Sequence, residues 1–132
     1  AKSAPQELNP SSPRIPEWRM PRVVAELNSA RPIDISFIDG IETIAGGEGP
    51  WIKGIRWVQP GVMILGTNAV TTDAVATAVM GYDPRADRGT PPFEKCDNSL
   101  KLAESLGVGT CDLKRIEVVG ASIASARFNF AS

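Results

Sequence analysis

Histidine is absent from this chain of 132 residues, and cysteine occurs only at Cys96 and Cys111. Without histidine there is no Ser-His or Cys-His nucleophile pair and no His-ligated zinc site. Two cysteines are too few for a disulfide scaffold or a four-thiolate cluster. The two thiols flank a predicted helix, so they could meet. The alternative is that both are free thiols. These absences exclude much common enzymology.

The chain also lacks an excess of positive or negative charge, and it lacks long apolar runs. Lysine and arginine number 14 and the acids 15, a net charge of −1. No basic stripe carries interleaved aromatic residues, so we expect no nucleic-acid partner. No segment approaches the roughly 18 consecutive apolar residues of a membrane span, and no signal-peptide pattern opens the chain. The sequence predicts a soluble, cytoplasmic protein with no membrane partner.

Proline is concentrated in the first part of the chain, at Pro5, Pro10, Pro13 and Pro16. Such a segment cannot form a regular ladder, so residues 1–20 are predicted to be an arm or linker before a single α/β domain over residues 21–132. A linker to a missing upstream domain and an arm that wraps a partner subunit, anchored by Trp18, are the two interpretations. Because the chain starts without methionine, a processed form or a fragment is an open expectation.

Helical and strand patterns alternate along the rest of the chain. They predict helices near 21–30, 69–80 and 98–106 and strands at 33–38, 62–65 and 115–120. This order predicts an α/β layered fold with a small, largely parallel or mixed sheet flanked by helices. A parallel sheet with both faces covered needs more than three strands. We therefore expect a homo-oligomer or a missing N-terminal half to complete the sheet.

The second predicted helix, residues 69–80, has the clearest local signals. Thr67-Asn68 is a predicted cap and Gly81 suits the residue after the helix end. The helix is nearly apolar all round, which predicts packing on a sheet with another element above it. Its single charge is Asp73, and a lone carboxylate there needs a partner. That partner is either a neighbouring loop that Asp73 anchors, or a metal or substrate for which Asp73 is a ligand or general base.

The stretch DGIETIAGGEGPW, residues 39–51, follows the first predicted strand. Its glycines let backbone N–H groups converge on an anion, whereas its carboxylates repel an anion unless a divalent cation is also bound. With Mg²⁺ or Ca²⁺ the carboxylates become oxygen ligands. A structural turn and a partner contact are the alternatives. Ligands in open α/β sheets sit beyond the carboxyl ends of strands, where this loop and Asn68 would meet if the strands run parallel.

Three stretches of the chain resemble the C-terminal half of the domain-of-unknown-function 362 family. They are FIDGIETIAGGEGP, PGVMILGTNAVTTDAVATAVMGYDP and LAESLGVGTCDLKRIEVVG, between Ile33 and Gly120. The resemblance implies a bacterial or archaeal protein of unassigned role, often beside or fused to ferredoxin-type iron–sulfur domains. Full members carry an N-terminal half that this chain does not include. No cysteine motif for an iron–sulfur cluster is present here.

The resemblance also marks individual positions. The recurrent ones are Asp39, Gly40, Gly47, Gly49 and Pro50 in the first stretch and Gly66, Asp73 and Gly81 in the second. Asn68 stands where members often have aspartate, and Thr72 stands where a small apolar residue is usual. An asparagine in place of a charged ligand puts metal affinity at this position in doubt.

Two functions follow from these observations. The first is a ligand-binding or assembly domain, accessory to iron–sulfur redox proteins. The second is half of a divalent-metal- or anion-dependent enzyme site formed by loop 39–51 and the start of helix 69–80. The candidate ligand-binding residues are Asp39, Gly46, Gly47, Glu48, Gly49, Asn68 and Asp73. Of these, the candidate metal ligands are Asp39, Glu48 and Asp73.

Overall fold

A computed structural model describes residues 16–130, apart from the side chain of Trp18. Its first element is the helix α1, Pro16–Ala30. This helix begins five residues before the predicted start at Pro21, because Pro16 takes the first helical position, where a missing N–H costs nothing. Pro21 then lies inside the helix. Residues 16–20 of the predicted arm, 1–20, are thus helical, while residues 1–15 and the side chain of the proposed anchor Trp18 lie outside what the structure describes.

Four short strands form one long antiparallel hairpin over residues 36–66. They are β1 Ser36–Gly40, β2 Thr43–Ala45, β3 Arg56–Val58 and β4 Val62–Gly66. Strand β1 pairs with β4, with Ser36 opposite Gly66, and β2 pairs with β3, with Ala45 opposite Arg56. Between the two ladders the N–H of Gly61 donates to the carbonyl of Ile41 at 3.3 Å. The hairpin therefore folds back at residues 46–55, which include the glycines Gly46, Gly47 and Gly49.

The prediction of a largely parallel sheet was wrong, since both ladders are antiparallel. Parallel strands need a crossover of a dozen or more residues, usually a helix. Here the connection between β1 and β4 is itself the paired strands β2 and β3. The first strand also starts at Ser36 rather than Ile33, because β4 ends at Gly66, opposite Ser36. The fold class is mixed α/β with small antiparallel sheets.

Three further helices follow the hairpin. They are α2 Ala69–Val79, α3 Ser99–Ser105 and the short α4 Ile123–Ala126. The cap predicted for α2 is confirmed, because Asn68 accepts from the N–H of Thr71. Asn98 caps α3 in the same way, by accepting from the N–H groups of Leu100 and Lys101. Helix α2 packs against β4 and β1 on one side and against α3 and α4 elsewhere, while α1 packs on α3.

The strand predicted at residues 115–120 is not found. A 3-10 turn covers Leu113–Arg115, and Ile116 after it has extended dihedral angles, φ −109° and ψ 122°. Within residues 16–130, no backbone hydrogen bond joins residues 117–119 to any other residue. The segment therefore joins no ladder within the described residues.

The buried core lies among the helices rather than under the hairpin. Its members are Ala25, Val70, Ala74, Leu100, Ala103 and Cys111. Cys111 is fully buried and Cys96 is half-buried, and both are free thiols, so the two cysteines do not pair. Among the described residues no helix has the length and apolar character needed to cross a membrane.

Candidate functional site

The glycine-rich stretch forms the tip of the hairpin. Gly46 has a φ of +91°, which a side chain rarely permits, and the N–H of Ile52 donates to the carbonyl of Gly49 at 3.0 Å. A Cβ added at Gly49 would overlap the indole ring of Trp51, and one at Gly47 would lie 2.8 Å from the Cβ of Ile52. Close packing and one positive φ therefore account for these three glycines. The side chain of Glu48 is exposed at this tip.

Asp39 lies on β1 and is exposed, opposite Met63 of β4. Its carboxylate accepts the N–H of Ile41 at 3.1 Å, a local turn that closes the strand end. Asp39 is also one of the residues around a cavity of about 180 Å³ between the hairpin and α2. The carboxylate of Asp39 therefore stabilises the turn at the point where the ladder of β1 and β4 ends.

Asn68 lies at the other end of the hairpin and joins α2 to a distant segment. Its Oδ1 accepts from the N–H and from the hydroxyl of Thr71, each at 3.0 Å. Its Nδ2 donates to the carbonyl of Val108 at 2.6 Å. A Cβ at Gly109 would overlap the Asn68 amide, so the segment approaches the cap closely. The amide therefore holds two parts of the chain together, which explains an uncharged residue at this position.

Replacing Asn68 with aspartate is expected to cost about 1–2 kcal/mol of unfolding free energy at pH 7. A carboxylate keeps the cap but faces the carbonyl of Val108 without a donor. Urea denaturation of wild type, Asn68→Asp and the uncharged control Asn68→Ser measures the effect. We expect the aspartate variant to regain stability at acid pH, where its carboxyl group again donates. An aspartate variant as stable as wild type at pH 7 would contradict this role for the amide.

Asp73 lies on α2 as an exposed residue, and its backbone carbonyl accepts from the hydroxyl of Thr77 at 2.7 Å. The protein atoms around the carboxyl group reduce its hydration and so raise its pKa. Asp73 is therefore exposed, whereas its apolar helix suggests a buried carboxylate that anchors a neighbouring loop.

The predicted metal ligands are distributed over three places. Asp39 is on β1, Glu48 is at the hairpin tip and Asp73 is on α2. In residues 16–130, no group of three or more acidic, cysteine or histidine side chains is arranged to hold a metal ion. The antiparallel register also separates Asp39 from Asn68, since the end of β1 lies beside the start of β4.

A groove along the outer edge of β4 was not predicted from the sequence. It has a volume of about 560 Å³ and lies between β4, α2 and residues 116–126. We call it the β4-edge groove. Its floor includes Thr72, Val75 and Val79 of α2, and its far wall includes Ile116, Glu117 and Val118. The signal that pointed toward it was the strand-like pattern of residues 115–120, which has no partner strand in the sheet.

The side of the hairpin that faces away from α2 is apolar and bare. Inward residues of β1 and β4 are half-buried, and with Val79 of α2 they line the smaller cavity. The alternate residues are exposed. We call them the outward face: Ile35 at 66%, Phe37 at 57%, Met63 at 57% and Leu65 at 69% exposure. Phe37 and Leu65 are directly opposite each other in the ladder.

The elements of this site coincide with a known family model. The model described as Domain of unknown function (DUF362) matches residues 6–78. The chain belongs to this family. The DUF362 match covers the whole hairpin and ends inside α2, so the third stretch of the resemblance, Leu102 to Gly120, lies outside it. No significant match was found among curated proteins or among solved structures.

A polar cluster lies beyond the DUF362 match and ties α3 to the following segment. Glu104 accepts from Arg85 at 2.8 Å, from the hydroxyl of Thr110 at 2.5 Å and from the thiol of Cys111 at 3.4 Å. The Thr110 hydrogen bond, then those of Arg85 and Cys111, outweigh desolvation and lower the pKa of Glu104 to about 2. Burial, together with Glu104, raises the pKa of the Cys111 thiol. The thiol is therefore a packed structural group.

Proposed function

We propose that this DUF362 chain is an assembly domain that forms a homodimer through its outward face. The observation that supports the proposal is the exposure of Ile35, Phe37, Met63 and Leu65 on one side of a two-stranded ladder. A two-stranded hairpin is marginally stable in water unless its apolar faces are packed. Helix α2 covers one face of this hairpin, and a second copy of the chain would cover the other.

The size of the outward face suits such a contact. Side chains of this kind, a little over half exposed, each offer on the order of 100 Å², so four approach about 400 Å². Patches of this size on monomers are commonly functional, and a stable interface buries about 800 Å² per partner. Trp57 and Ile41, farther along the same hairpin, are also exposed.

The charge of the outward face favours a second copy over an oppositely charged partner. Within the register of β1 and β4, Asp39 is the one ionisable side chain, and it lies near one end. An apolar patch without a dominant charge can pack on itself about a two-fold axis, the commonest symmetry of oligomers. Two sheets that meet this way pack about 10 Å apart with interdigitated side chains.

The enzymatic alternative has less support. It needs loop 39–51 and the start of α2 at one edge of a parallel sheet, and the antiparallel register puts Asp39 and Asn68 at opposite ends of the β1–β4 ladder. A divalent cation at the candidate carboxylates and an iron–sulfur partner stay predictions, the second of them from the family resemblance alone.

Light scattering coupled to size-exclusion chromatography tests the homodimer. We expect a mass near twice the 14.1 kDa of the monomer, with dissociation on dilution through the micromolar range. In the variant Ile35→Ser/Phe37→Ser, the Kd of the dimer should rise at least tenfold, because both substituted side chains are in the proposed interface. The matched control Leu27→Ser/Leu106→Ser changes two exposed apolar residues on the helices.

Two results would overturn the proposal. One is a wild-type protein that stays monomeric up to about 1 mM, well above the Kd of a specific dimer. The other is a dimer that the Ile35→Ser/Phe37→Ser variant keeps unchanged. Circular dichroism checks the fold of both double variants, which we expect to be retained since the substituted residues are exposed.

A further inference from the structure

The geometry points to the β4-edge groove as a slot for one extended strand of another polypeptide. The strand is mostly apolar and carries one basic residue, which faces Glu117. This inference goes beyond the proposed homodimer, because it concerns the edge of β4 rather than the face of the hairpin and a different partner, although Met63 and Leu65 border both surfaces. Four features of the groove carry it: its two walls, its floor and its charge.

The near wall of the groove is the unpaired edge of β4. In the described part of the chain, the sheet that contains β4 has two strands, so β1 occupies one edge of β4 and none occupies the other. Along a strand that is paired on one side, alternate N–H and C=O groups point away from the partner. Such an edge is a ready template for another strand. The five residues of β4 offer about 17 Å of this edge.

The far wall is the segment at residues 116–119, which begins with the extended residue Ile116. Its residues 117–119 make no backbone hydrogen bond with any residue in the range 16–130. The sequence RIEVVG reads as a strand, with β-branched side chains at Ile116, Val118 and Val119. The backbone groups of this segment therefore lack the ladder that its sequence favours. A strand between the two walls would pair with β4 on one side and with this segment on the other.

The floor of the groove is helical and mostly apolar, with Thr72 as its polar member. Val75 and Val79 of α2 and Ala126 of α4 line it. Strands of a layered sheet face a helix in this way, with alternate side chains directed to the helix. The inserted strand would place an apolar residue at every second position over this floor. The polar side chains Asn68 and Thr72 at one end of the groove are engaged within the protein, since Asn68 donates to the carbonyl of Val108 and Thr72 donates to the carbonyl of Asn68. A small polar ligand, in contrast, requires several polar groups free to bind it.

The charge of the lining selects the composition of the strand. Among the described residues around the groove, Glu117 carries the one ionisable side chain. Apart from Glu117 the lining is uncharged, which disfavours a strongly charged peptide, since desolvation of each unpaired charge is costly. A single lysine or arginine beside Glu117 would be paired. The partner segment is therefore an alternating apolar strand with one basic residue, bound by β-augmentation.

Fluorescence anisotropy with a synthetic peptide tests this assignment. The probe is a labelled seven-residue peptide in which valine alternates with threonine and one threonine is replaced by lysine. We expect saturable binding, and at least tenfold weaker binding when alternate backbone nitrogens of the peptide are methylated, because methylation removes the donors. Replacing the lysine of the peptide with glutamate should also weaken binding.

Variants of the groove locate the binding. Val118→Pro removes one N–H from the far wall at a residue that makes no backbone hydrogen bond with the described residues, and Val118→Ala is its matched control. We expect Val118→Pro to weaken binding at least tenfold and Val118→Ala to leave it within twofold. Glu117→Lys should reverse the preference between the lysine and glutamate peptides. Ile35→Ser/Phe37→Ser should bind the peptide like wild type, because neither residue lines the groove.

The results that overturn the assignment are distinct from those that overturn the homodimer. Absence of saturable peptide binding, equal binding of the methylated peptide, or binding indifferent to Val118→Pro would each overturn it. Conversion of a wild-type dimer to monomer by a peptide whose binding is indifferent to Val118→Pro would place the peptide on the outward face, which also overturns the assignment. Loss of the dimer in Ile35→Ser/Phe37→Ser with peptide binding intact supports both proposals, and peptide binding by a monomeric wild type supports the groove alone.

Discussion

Replacing Asn98 with alanine is expected to destabilise the protein by about 3 kcal/mol. Asn98 is 5% exposed, and its side chain makes four hydrogen bonds. Its Oδ1 caps α3 by accepting the N–H groups of Leu100 and Lys101, at 2.9 and 3.2 Å. Its Nδ2 donates to the carbonyls of Pro84 and Ala86, at 2.8 and 2.9 Å. Alanine removes the cap and also leaves two carbonyls without their buried donor.

Denaturation with urea separates the two contributions. The variant Asn98→Ser keeps a capping oxygen but is too short to reach both carbonyls, so about half of the loss is expected to remain. Truncation of the exposed residue Leu106, at the end of the same helix, is the control for a change that touches neither role. A loss below about 1 kcal/mol for the alanine variant would mean that water replaces the side chain at these carbonyls.

Glu104→Gln is expected to cost about 2 kcal/mol at pH 7 and almost nothing near pH 2. The carboxylate accepts from Arg85, Thr110 and Cys111, and its folded-state pKa of about 2 lies below its ordinary value of 4.5. A carboxyl group whose pKa is lowered on folding stabilises the protein above its unfolded pKa. That stability is lost as the pH falls through the folded pKa. Protonated Glu104 then resembles glutamine.

The measurement is the unfolding free energy of wild type and Glu104→Gln between pH 2 and pH 7. The two curves should converge at acid pH and separate above the ordinary pKa of 4.5. Asp87→Asn is the matched control, since Asp87 is also ion-paired, with Lys101, but its side chain is 82% exposed and its effect should be slight. Parallel curves for Glu104→Gln and wild type would contradict the role of the ionised carboxylate.

Both helix caps were predictable because capping is local. An N-cap needs one short polar side chain and the N–H groups two or three residues later, all visible in the sequence. Asn68 and Asn98 satisfy this rule, and the positive φ of Gly81 and Gly107 follows from their places after the helix ends. The sequence did not predict the hydrogen bonds that the Nδ2 atoms donate. Asn68 donates to the carbonyl of Val108, and Asn98 donates to the carbonyls of Pro84 and Ala86.

The unusual backbone of loop 39–51 could be predicted from the sequence, but the arrangement of the candidate residues could not. The glycines of loop 39–51 do mark an unusual backbone, and Asp73 does carry a perturbed pKa. Their expected meeting place depended on parallel strands. Because β2, within the predicted loop, pairs with β3 beyond it, the loop became one side and the tip of a hairpin, and the carboxylates were separated. A three-residue strand such as Thr43–Ala45 is too short for a periodic signal.

The sequence by itself determined which classes of site are excluded and where α2 and α3 begin and end, since composition and capping require no knowledge of distant residues. Only the tertiary structure decided that β1 and β4 run antiparallel, which face of the hairpin is bare, and that residues 116–119 stand across a groove from β4. Strand pairing joins residues far apart in the chain, and its direction is set by the connection and by the packing of one face. No local pattern contains that information.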